Sequence, residues 1–231
     1  MATWLMHMMI GDRLMKEFPK LDPEAYVVGS VGADAGDVTE VKGVFDPPAF
    51  ITHWTHKGAG PDKSCCRYMD FYEAYIKNET DLTKWSFYVG YYIHLQTDVL
   101  WHRLVYAPLL DQYRQSILDA SAILNRMRQS SAACELEYLK LGNTFKLWEV
   151  MKQMDHFSAP VLPYYHSMSL TNHIRLIHSV YSPEAVASYI PFPDRMFFLE
   201  DWLAFADQAV EEIREINRLN GLCFHDITGT S

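Results

Sequence analysis

Apolar residues recur through most of this chain at the three- and four-residue spacing of amphipathic helices, and no segment alternates in the manner of a half-buried strand. Proline and glycine interrupt the helical pattern at intervals. The predicted helices are Thr3–Glu17, Ser64–Lys77, Leu82–Val105, Pro108–Gln129, Ser131–Phe157, Leu170–Val180, Pro183–Tyr189 and Pro193–Asn220. The glycines and prolines between Val28 and Pro48 predict a long loop. The pattern therefore predicts an all-α fold, a single multi-helix domain over residues 1–231.

The composition fits a folded protein that does not bind nucleic-acid duplexes. Hydrophobic residues make up 49% of the 231 residues and charged residues 21%, which is enough apolar material for a large core. The formal net charge of −9 argues against duplex binding, because phosphate backbones select basic surfaces. It does not argue against a metal-dependent phosphoesterase, since bound cations would supply positive charge at the substrate's phosphate.

The sequence also gives expectations about location. It shows no secretory signal, because Arg13 and Lys16 interrupt the first apolar stretch. No segment reaches the roughly 18 uncharged apolar residues of a membrane span. The four cysteines form neither a CxxC metal site nor a disulfide framework. A cytoplasmic protein with reduced thiols is therefore expected.

The segment Ser86–His102 carries the strongest chemical signal. Apolar residues lie on every side of this predicted helix, which indicates that it is buried. His94, Asp98 and His102 fall within an arc of about 80° on one face. Two imidazoles beside a carboxylate are the ligand types that zinc prefers. The alternative is an ordinary His94–Asp98 pair in the core, with His102 at its rim.

Three further residues in the first quarter of the chain are candidate ligands. His7 lies in the middle of the apolar run Trp4–Ile10, where a histidine can equally be a hydrogen-bonded core residue. Asp34 lies in a glycine-rich segment, where an ordinary Asx turn is the alternative. His53 follows Thr52, and its alternative is a histidine in a surface loop. Taken one at a time, each of these residues is a weak signal.

The order of these features resembles the zinc-dependent phospholipase C family, which shares an all-helical fold with single-strand-specific zinc nucleases. A helix-borne histidine comes first, followed by a loop aspartate, a Thr-His pair and a buried HxxxD helix. The matching stretches are Met6–Ile10, Gly32–Asp34, Thr52–Trp54 and Gly90–Asp98. The resemblance covers roughly the first 105 residues.

The resemblance implies a ligand set. Asp34, His53, His94 and Asp98 would surround one zinc ion, and Asp98 would bridge to a second ion that also takes His7. A third metal in the family uses a histidine after the HxxxD helix and then an HxxxE pair.

This sequence departs from the pattern of the third metal. His102 is closer to Asp98 than the family pattern expects, and no HxxxE follows. One or two Zn²⁺ ions are therefore expected rather than three. His102, Glu135, Glu137 or a histidine of the His173–His178 stretch is left as a candidate to complete a second site.

The implied activity is hydrolysis of a phosphodiester or phosphomonoester by metal-activated water, with Asp34 orienting the water or accepting its proton. The substrate would be a small phosphate ester or a phospholipid. The alternative is a non-catalytic helical protein that retains a structural metal site. A His-Asp phosphohydrolase ranks low because the contiguous pair Asp155-His156 has the reverse order. A di-iron bundle would need ExxH segments, which the sequence lacks.

Overall fold

Helices make up almost all of the regular structure in the computed structural model, which describes residues 2–18, 20–40, 44–60, 62–113 and 119–222. The α-helices are α1 Trp4–Met15, α2 Pro23–Gly32, α3 Ala49–Thr52, α4 Tyr68–Phe71, α5 Leu82–Trp101, α6 Ala107–Tyr113, α7 Ala120–Lys140, α8 Lys146–Gln153, α9 Ser169–Val180, α10 Pro183–Ser188 and α11 Leu199–Leu219. Single π-helical turns extend α4 over Tyr72–Ile76 and α5 over His102–Tyr106. The all-α prediction is confirmed.

The loop predicted from Val28 to Pro48 is wrong in its first part. Helix α2 occupies that region, and Asp22 caps it by accepting hydrogen bonds from the backbone N–H groups of Glu24 and Ala25. The sequence contained this start signal, an aspartate followed by proline at the first helical position. Two short antiparallel strands follow, β1 Asp37–Val38 and β2 Phe45–Asp46.

The glycines that suggested a loop instead allow α2 to pack closely on α5. A methyl group added at Gly29 would lie 2.0 Å from the backbone oxygen of Phe87. One added at Gly90 would lie 2.2 Å from the backbone oxygen of Tyr26. Only hydrogen fits at both positions, so the two helix backbones touch directly. This contact brings the carbonyl groups of α2 within reach of the α5 side chains.

Other predicted boundaries shift in the second half of the chain. Helix α7 runs continuously across the predicted break near residue 130 and ends before Gly142, whose φ of 79° favours glycine. The last helix begins at Leu199, six residues later than predicted from Pro193. The single helix predicted over Ser131–Phe157 is therefore wrong, because its first part belongs to α7 and its second part is α8.

The structure bears on the expectations about membrane spans and cysteines, within the residues that it describes. None of the helices in these ranges has both the length and the apolarity needed to cross a bilayer. Cys65, Cys66 and Cys134 are free thiols, whereas Cys223 lies outside the described residues.

Candidate metal centre

Five polar side chains from four separate segments meet inside the helical core. His7 projects from the middle of α1, and Asp34 follows the end of α2. His53 ends α3, and His94 and Asp98 lie one turn apart on α5. The side chain of Asp34 is 9% exposed and those of the other four at most 2%. Five of the predicted residues are thus brought together at one place, and His102 is not among them.

The local backbone explains how His53 reaches this place. Trp54 adopts a positive φ of 52°, which is rare for a residue other than glycine, directly after His53 at the end of α3. The carbonyl group of Trp54 accepts a hydrogen bond from the Arg67 N–H, which ties this turn to the residues before α4. A strained backbone of this kind is typical of functional sites.

The ligand atoms of these side chains fall into two overlapping groups, each with its atoms within 4.8 Å of one another. The first group is His7, His94 and Asp98, and the second is Asp34, His53 and His94. His53 Nε2 lies 3.2 Å from Asp34 Oδ1 and 3.4 Å from Asp98 Oδ2. The rings of His7 and His94 stack with their centroids 3.6 Å apart and their planes 7° from parallel.

Backbone carbonyl groups fix the proton on two of the imidazoles. His94 Nδ1 lies 2.9 Å from the Ser30 carbonyl oxygen, and His53 Nδ1 lies 3.1 Å from that of Ala49. A carbonyl oxygen only accepts, so both Nδ1 atoms donate. The Thr52 hydroxyl, 3.0 Å from His53 Nδ1, donates to the same Ala49 carbonyl oxygen and so accepts from the ring. A neutral ring then has a bare lone pair on Nε2. This arrangement is typical of histidines that bind metals.

The lone pair of His53 Nε2 therefore faces carboxylate oxygens, which are also acceptors. Among the described residues, His53 Nε2, His94 Nε2, Asp98 Oδ2 and both ring nitrogens of His7 are buried without a hydrogen-bond partner. Clustered buried acceptors repel one another unless a cation lies between them. The set of imidazole nitrogens and carboxylate oxygens fits zinc.

The protonation states suit metal binding. Burial and the neighbouring His7 lower the pKa of His94 to about 3, so this ring is neutral near pH 7. Burial alone would raise the pKa of Asp34, but its close contact with His53 and the nearby His94 bring it below its usual value. The pKa of Asp98 is likewise lowered, against the effect of burial, by His7 and His94. Neutral imidazoles and ionised carboxylates are the forms that bind a metal.

The Asp98 carboxylate has one oxygen on each side of the centre. Oδ1 lies 3.6 Å from His7 Nε2 and accepts a hydrogen bond of 3.2 Å from the Ala2 backbone N–H. Oδ2 faces His53 and His94. A carboxylate placed in this way can bridge two ions.

Trp4 supports the centre, although the sequence indicated only an apolar position there. Its indole Nε1–H donates to Asp34 Oδ2 over 3.1 Å, which directs the other oxygen, Oδ1, toward His53. Its ring packs edge-on against the ring of His173, with centroids 4.9 Å apart.

A set of tyrosine hydroxyl groups also holds the ligand-bearing segments. Tyr91 donates to the Thr52 carbonyl oxygen, and Tyr165 donates to the Gly32 carbonyl oxygen, each over 2.5 Å. The two hydroxyl groups lie 3.2 Å apart, and Tyr164 donates to Tyr91 over 3.0 Å. Gly32 and Thr52 come just before Asp34 and His53 in the chain. The network therefore connects α5 to both of those ligand segments.

We predict that Tyr91→Phe or Tyr165→Phe weakens zinc binding by about 10- to 100-fold, the usual cost of removing an outer hydrogen bond at a metal site. The matched control is Tyr88→Phe, which removes a buried tyrosine hydroxyl that donates to the Val161 carbonyl group. Competition titration against a zinc chelator measures the affinities. Equal losses in the control and the two test variants would contradict a positioning role for the network.

Two candidate additional ligands lie away from both groups. His102 is one helical turn beyond Asp98 and lies 3.3 Å from Asp62 of the preceding loop. Glu137 pairs with Arg195. His102 and Glu137 therefore have partners of their own and do not belong to either ligand group.

Glu135 has a different role, at the start of α1. Its carboxylate accepts hydrogen bonds from the Leu5 backbone N–H and the Tyr181 hydroxyl, over 2.9 and 2.8 Å. Burial raises its pKa to about 7. An acidic side chain at a helix N-terminus satisfies free N–H groups there, so Glu135 anchors the first turn of the helix that carries His7.

Neither histidine of the His173–His178 stretch joins the two groups. Burial lowers the pKa of His173 to about 4, and its ring hydrogen-bonds to the Val31 backbone beside Trp4. His178 lies 2.8 Å from the Met151 carbonyl oxygen, through Nε2.

A cavity of about 300 Å³ reaches the centre from the surface. Asp34 and His53 contribute its polar wall. The other lining residues are mainly apolar: Trp4, Ala33, Gly36, Val38, Phe45, Pro47, Ala49, Thr52 and Leu176. Substrate atoms in this cavity would contact both the polar cluster and an apolar wall.

The family model for zinc-dependent phospholipase C matches residues 6–186. The chain belongs to this family. The match includes all five clustered side chains and extends well beyond the first 105 residues, where the sequence motifs lie. No curated protein and no solved structure matches the chain significantly. Membership in a zinc-dependent family agrees with a donor set that could hold a metal ion.

Proposed function

We propose that this chain is a zinc-dependent phosphoester hydrolase that cleaves a phospholipid phosphodiester, holding one or two zinc ions with His7, Asp34, His53, His94 and Asp98. The observation that carries the proposal is the convergence of His53 Nε2 with the carboxylates of Asp34 and Asp98, all acceptors and none more than 9% exposed. The family match supports both the zinc requirement and the class of reaction.

The ligand residues would hold the metal in two adjoining places. His53, Asp34 and His94 form one, and His7 with the Oδ1 side of Asp98 forms the other. When bound, zinc supplies a Lewis acid and acidifies water, so that a nucleophile is available near neutral pH.

Asp34 is the residue we assign to the nucleophile. It combines a position in the metal cluster with a place on the cavity wall. Because its pKa is lowered, its carboxylate accepts a hydrogen bond readily but is a weak proton acceptor. Its main role is therefore to orient the attacking water.

The reaction consumes one water molecule per phosphodiester. The water oxygen forms a bond to phosphorus, the bond from phosphorus to the glycerol oxygen breaks, and that oxygen takes up a proton. The products are a diacylglycerol and a phosphorylated head group. The apolar wall formed by Val38, Phe45 and Leu176 is suited to the leaving diacylglycerol, whose carbon chains gain from leaving water.

The test begins with protein stripped by a chelator and reloaded with zinc. We expect zinc to restore the release of phosphorylated head group from a short-chain phosphatidylcholine kept below its micelle concentration. His94→Ala should lower both zinc content and turnover, the latter by more than about 100-fold, since it removes a direct ligand. His156→Ala, at an exposed position outside the centre, is the matched control.

Two results would reject the proposal in different ways. If the protein binds no zinc after reloading, the proposed zinc site is rejected. Bound zinc without turnover on a panel of phosphodiesters and phosphomonoesters would favour a structural metal site.

A further inference from the structure

A second cavity lies apart from the metal centre, between the end of α5 and the first part of α11. Its volume is about 310 Å³, which falls within the range of roughly 300–1,000 Å³ that is typical of small-molecule sites. No residue of the two ligand groups lines it. It is here called the aromatic cavity, because its walls include Trp101, Phe197, Trp202 and Phe205.

Most of the aromatic cavity belongs to a part of the chain that the family match does not cover. The match ends at residue 186, whereas Phe197, Trp202 and Phe205 come after it. Membership in the zinc-dependent family therefore does not account for this cavity. The kind of ligand it holds has to follow from the chemistry of its own walls.

Three of the aromatic rings stand nearly at right angles to one another's neighbours. The ring of Trp101 packs edge-on with that of Phe205, with centroids 4.8 Å apart and planes at 84°. It packs in the same way with Phe197, at 5.8 Å and 76°. The faces of aromatic rings carry partial negative charge and attract cations, tryptophan most strongly. Sets of aromatic walls form the cages that bind quaternary ammonium groups.

The depth of these rings strengthens the attraction that they offer. Phe197 is 8% exposed, Phe205 5% and Trp101 2%, so a group in contact with them would be largely removed from water. The attraction between a cation and an aromatic face is greatest when both are desolvated. Strongly hydrated cations do not enter such a place readily, whereas an ammonium group covered by methyl groups does.

The charges around the cavity also favour a cation. Asp201 lines it, and its Oδ2 accepts a hydrogen bond of 3.0 Å from the Phe198 backbone N–H, which fixes the carboxylate at the first turn of α11. Among the described residues of the wall, none is basic. Arg103, in the π-helical turn that follows Trp101, is paired with Glu212. An anion would therefore meet a carboxylate without a balancing positive charge.

We propose that the aromatic cavity binds a small quaternary ammonium compound. The aromatic rings would contact its methyl groups, and the Asp201 carboxylate would balance its charge. An uncharged alkyl molecule would fill the same apolar walls but would gain neither the attraction to the ring faces nor that to Asp201. This site is separate from the zinc site, and binding here does not require hydrolysis.

The test compares tetramethylammonium with tert-butanol, an uncharged molecule of similar size. Binding is followed through the NMR signals of the tryptophan indole N–H groups. We expect tetramethylammonium to bind at least about tenfold more tightly than tert-butanol, because a desolvated cation gains from the aromatic faces. The signals of Trp101 and Trp202 should shift, whereas that of Trp148, which does not line the cavity, should stay in place.

Two substitutions separate the contribution of charge from that of apolar contact. Phe197→Leu keeps an apolar wall but removes a ring, so tetramethylammonium affinity should fall by about threefold with little change for tert-butanol. Asp201→Asn should likewise lower tetramethylammonium affinity by about threefold. The matched control is Asp207→Asn, on the same helix but outside the wall, which should leave the affinity unchanged.

Three results would overturn the proposal. Equal affinities for the two probes would mean that the cavity is an ordinary apolar pocket. Binding of tetramethylammonium without a shift at Trp101 or Trp202 would place the cation elsewhere. Equal losses for Asp201→Asn and Asp207→Asn would show only a general effect of charge. Because the two sites share no residue, failure of the hydrolase test would leave this inference standing, and the reverse also holds.

Discussion

Replacing Asp98 with asparagine is expected to abolish zinc binding while leaving the stability of the metal-free protein nearly unchanged. Without metal, Asp98 Oδ2 faces the lone pair of His53 Nε2. An amide at this position keeps an acceptor for the Ala2 N–H and gains a donor toward His53. We expect this donor to offset the lost attraction between the carboxylate and the His7 and His94 side chains. The free energy of unfolding should then change by less than about 1 kcal/mol, or roughly 2–4 °C in Tm for a chain of this size.

The same variant should lose the stabilisation that zinc gives. A ligand that binds only the folded state at a thousand times its Kd stabilises by about 4 kcal/mol. Thermal unfolding with and without zinc, together with metal analysis, measures both effects. Asp155→Asn, at an exposed position, is the matched control. A lower Tm for the metal-free variant, with no response of the unsubstituted protein to zinc, would mean that Asp98 is an ordinary partner in the core.

Gly90→Ala is expected to cost at least about 3 kcal/mol, more than typical core overpacking, because the added methyl group would meet backbone. It would lie 2.2 Å from the Tyr26 carbonyl oxygen, and a helix backbone cannot turn aside as a side chain can. Separation of α2 from α5 would also lengthen the contact between His94 Nδ1 and the Ser30 carbonyl oxygen. Denaturant unfolding and zinc affinity should therefore both change.

Gly11→Ala is the matched control for this substitution. Gly11 also lies in a helix, but a methyl group there would be 3.4 Å from the Leu147 Cδ1 atom, an ordinary contact. Alanine is favoured over glycine inside a helix by about 1 kcal/mol, so we expect stability to stay level or rise. Equal unfolding free energies for the two variants would show that α2 and α5 do not touch as described.

The sequence was sufficient for the fold class and for the five clustered side chains. Helical periodicity gave the first, and the buried HxxxD helix together with the order of the other motifs gave the second. Helix α2 was missed because its glycines were interpreted as loop residues. These glycines allow close packing against α5, which lies more than fifty residues further along the chain. A local sequence pattern does not reveal a contact between such distant segments.

The supporting groups were beyond sequence reasoning for a similar reason. The Ser30 and Ala49 carbonyl groups belong to the backbone, which every residue has, so no side-chain pattern marks them. Tyr91 and Tyr165 have the spacing of ordinary core aromatics, and their hydroxyl partners are set by tertiary packing. Trp4 is similarly hidden within an apolar run.

The dispersal of the ligands over four segments has a consequence for the chain as a whole. A cation bound to His7, Asp34, His53 and the α5 pair closes loops between positions 7 and 98, as a set of crosslinks would. Closing those loops in the unfolded chain would cost conformational entropy, so the metal binds the folded state preferentially. Much of its binding free energy therefore stabilises the folded N-terminal half. Metal supply would then determine how much of this protein survives proteolysis, in addition to how fast it works.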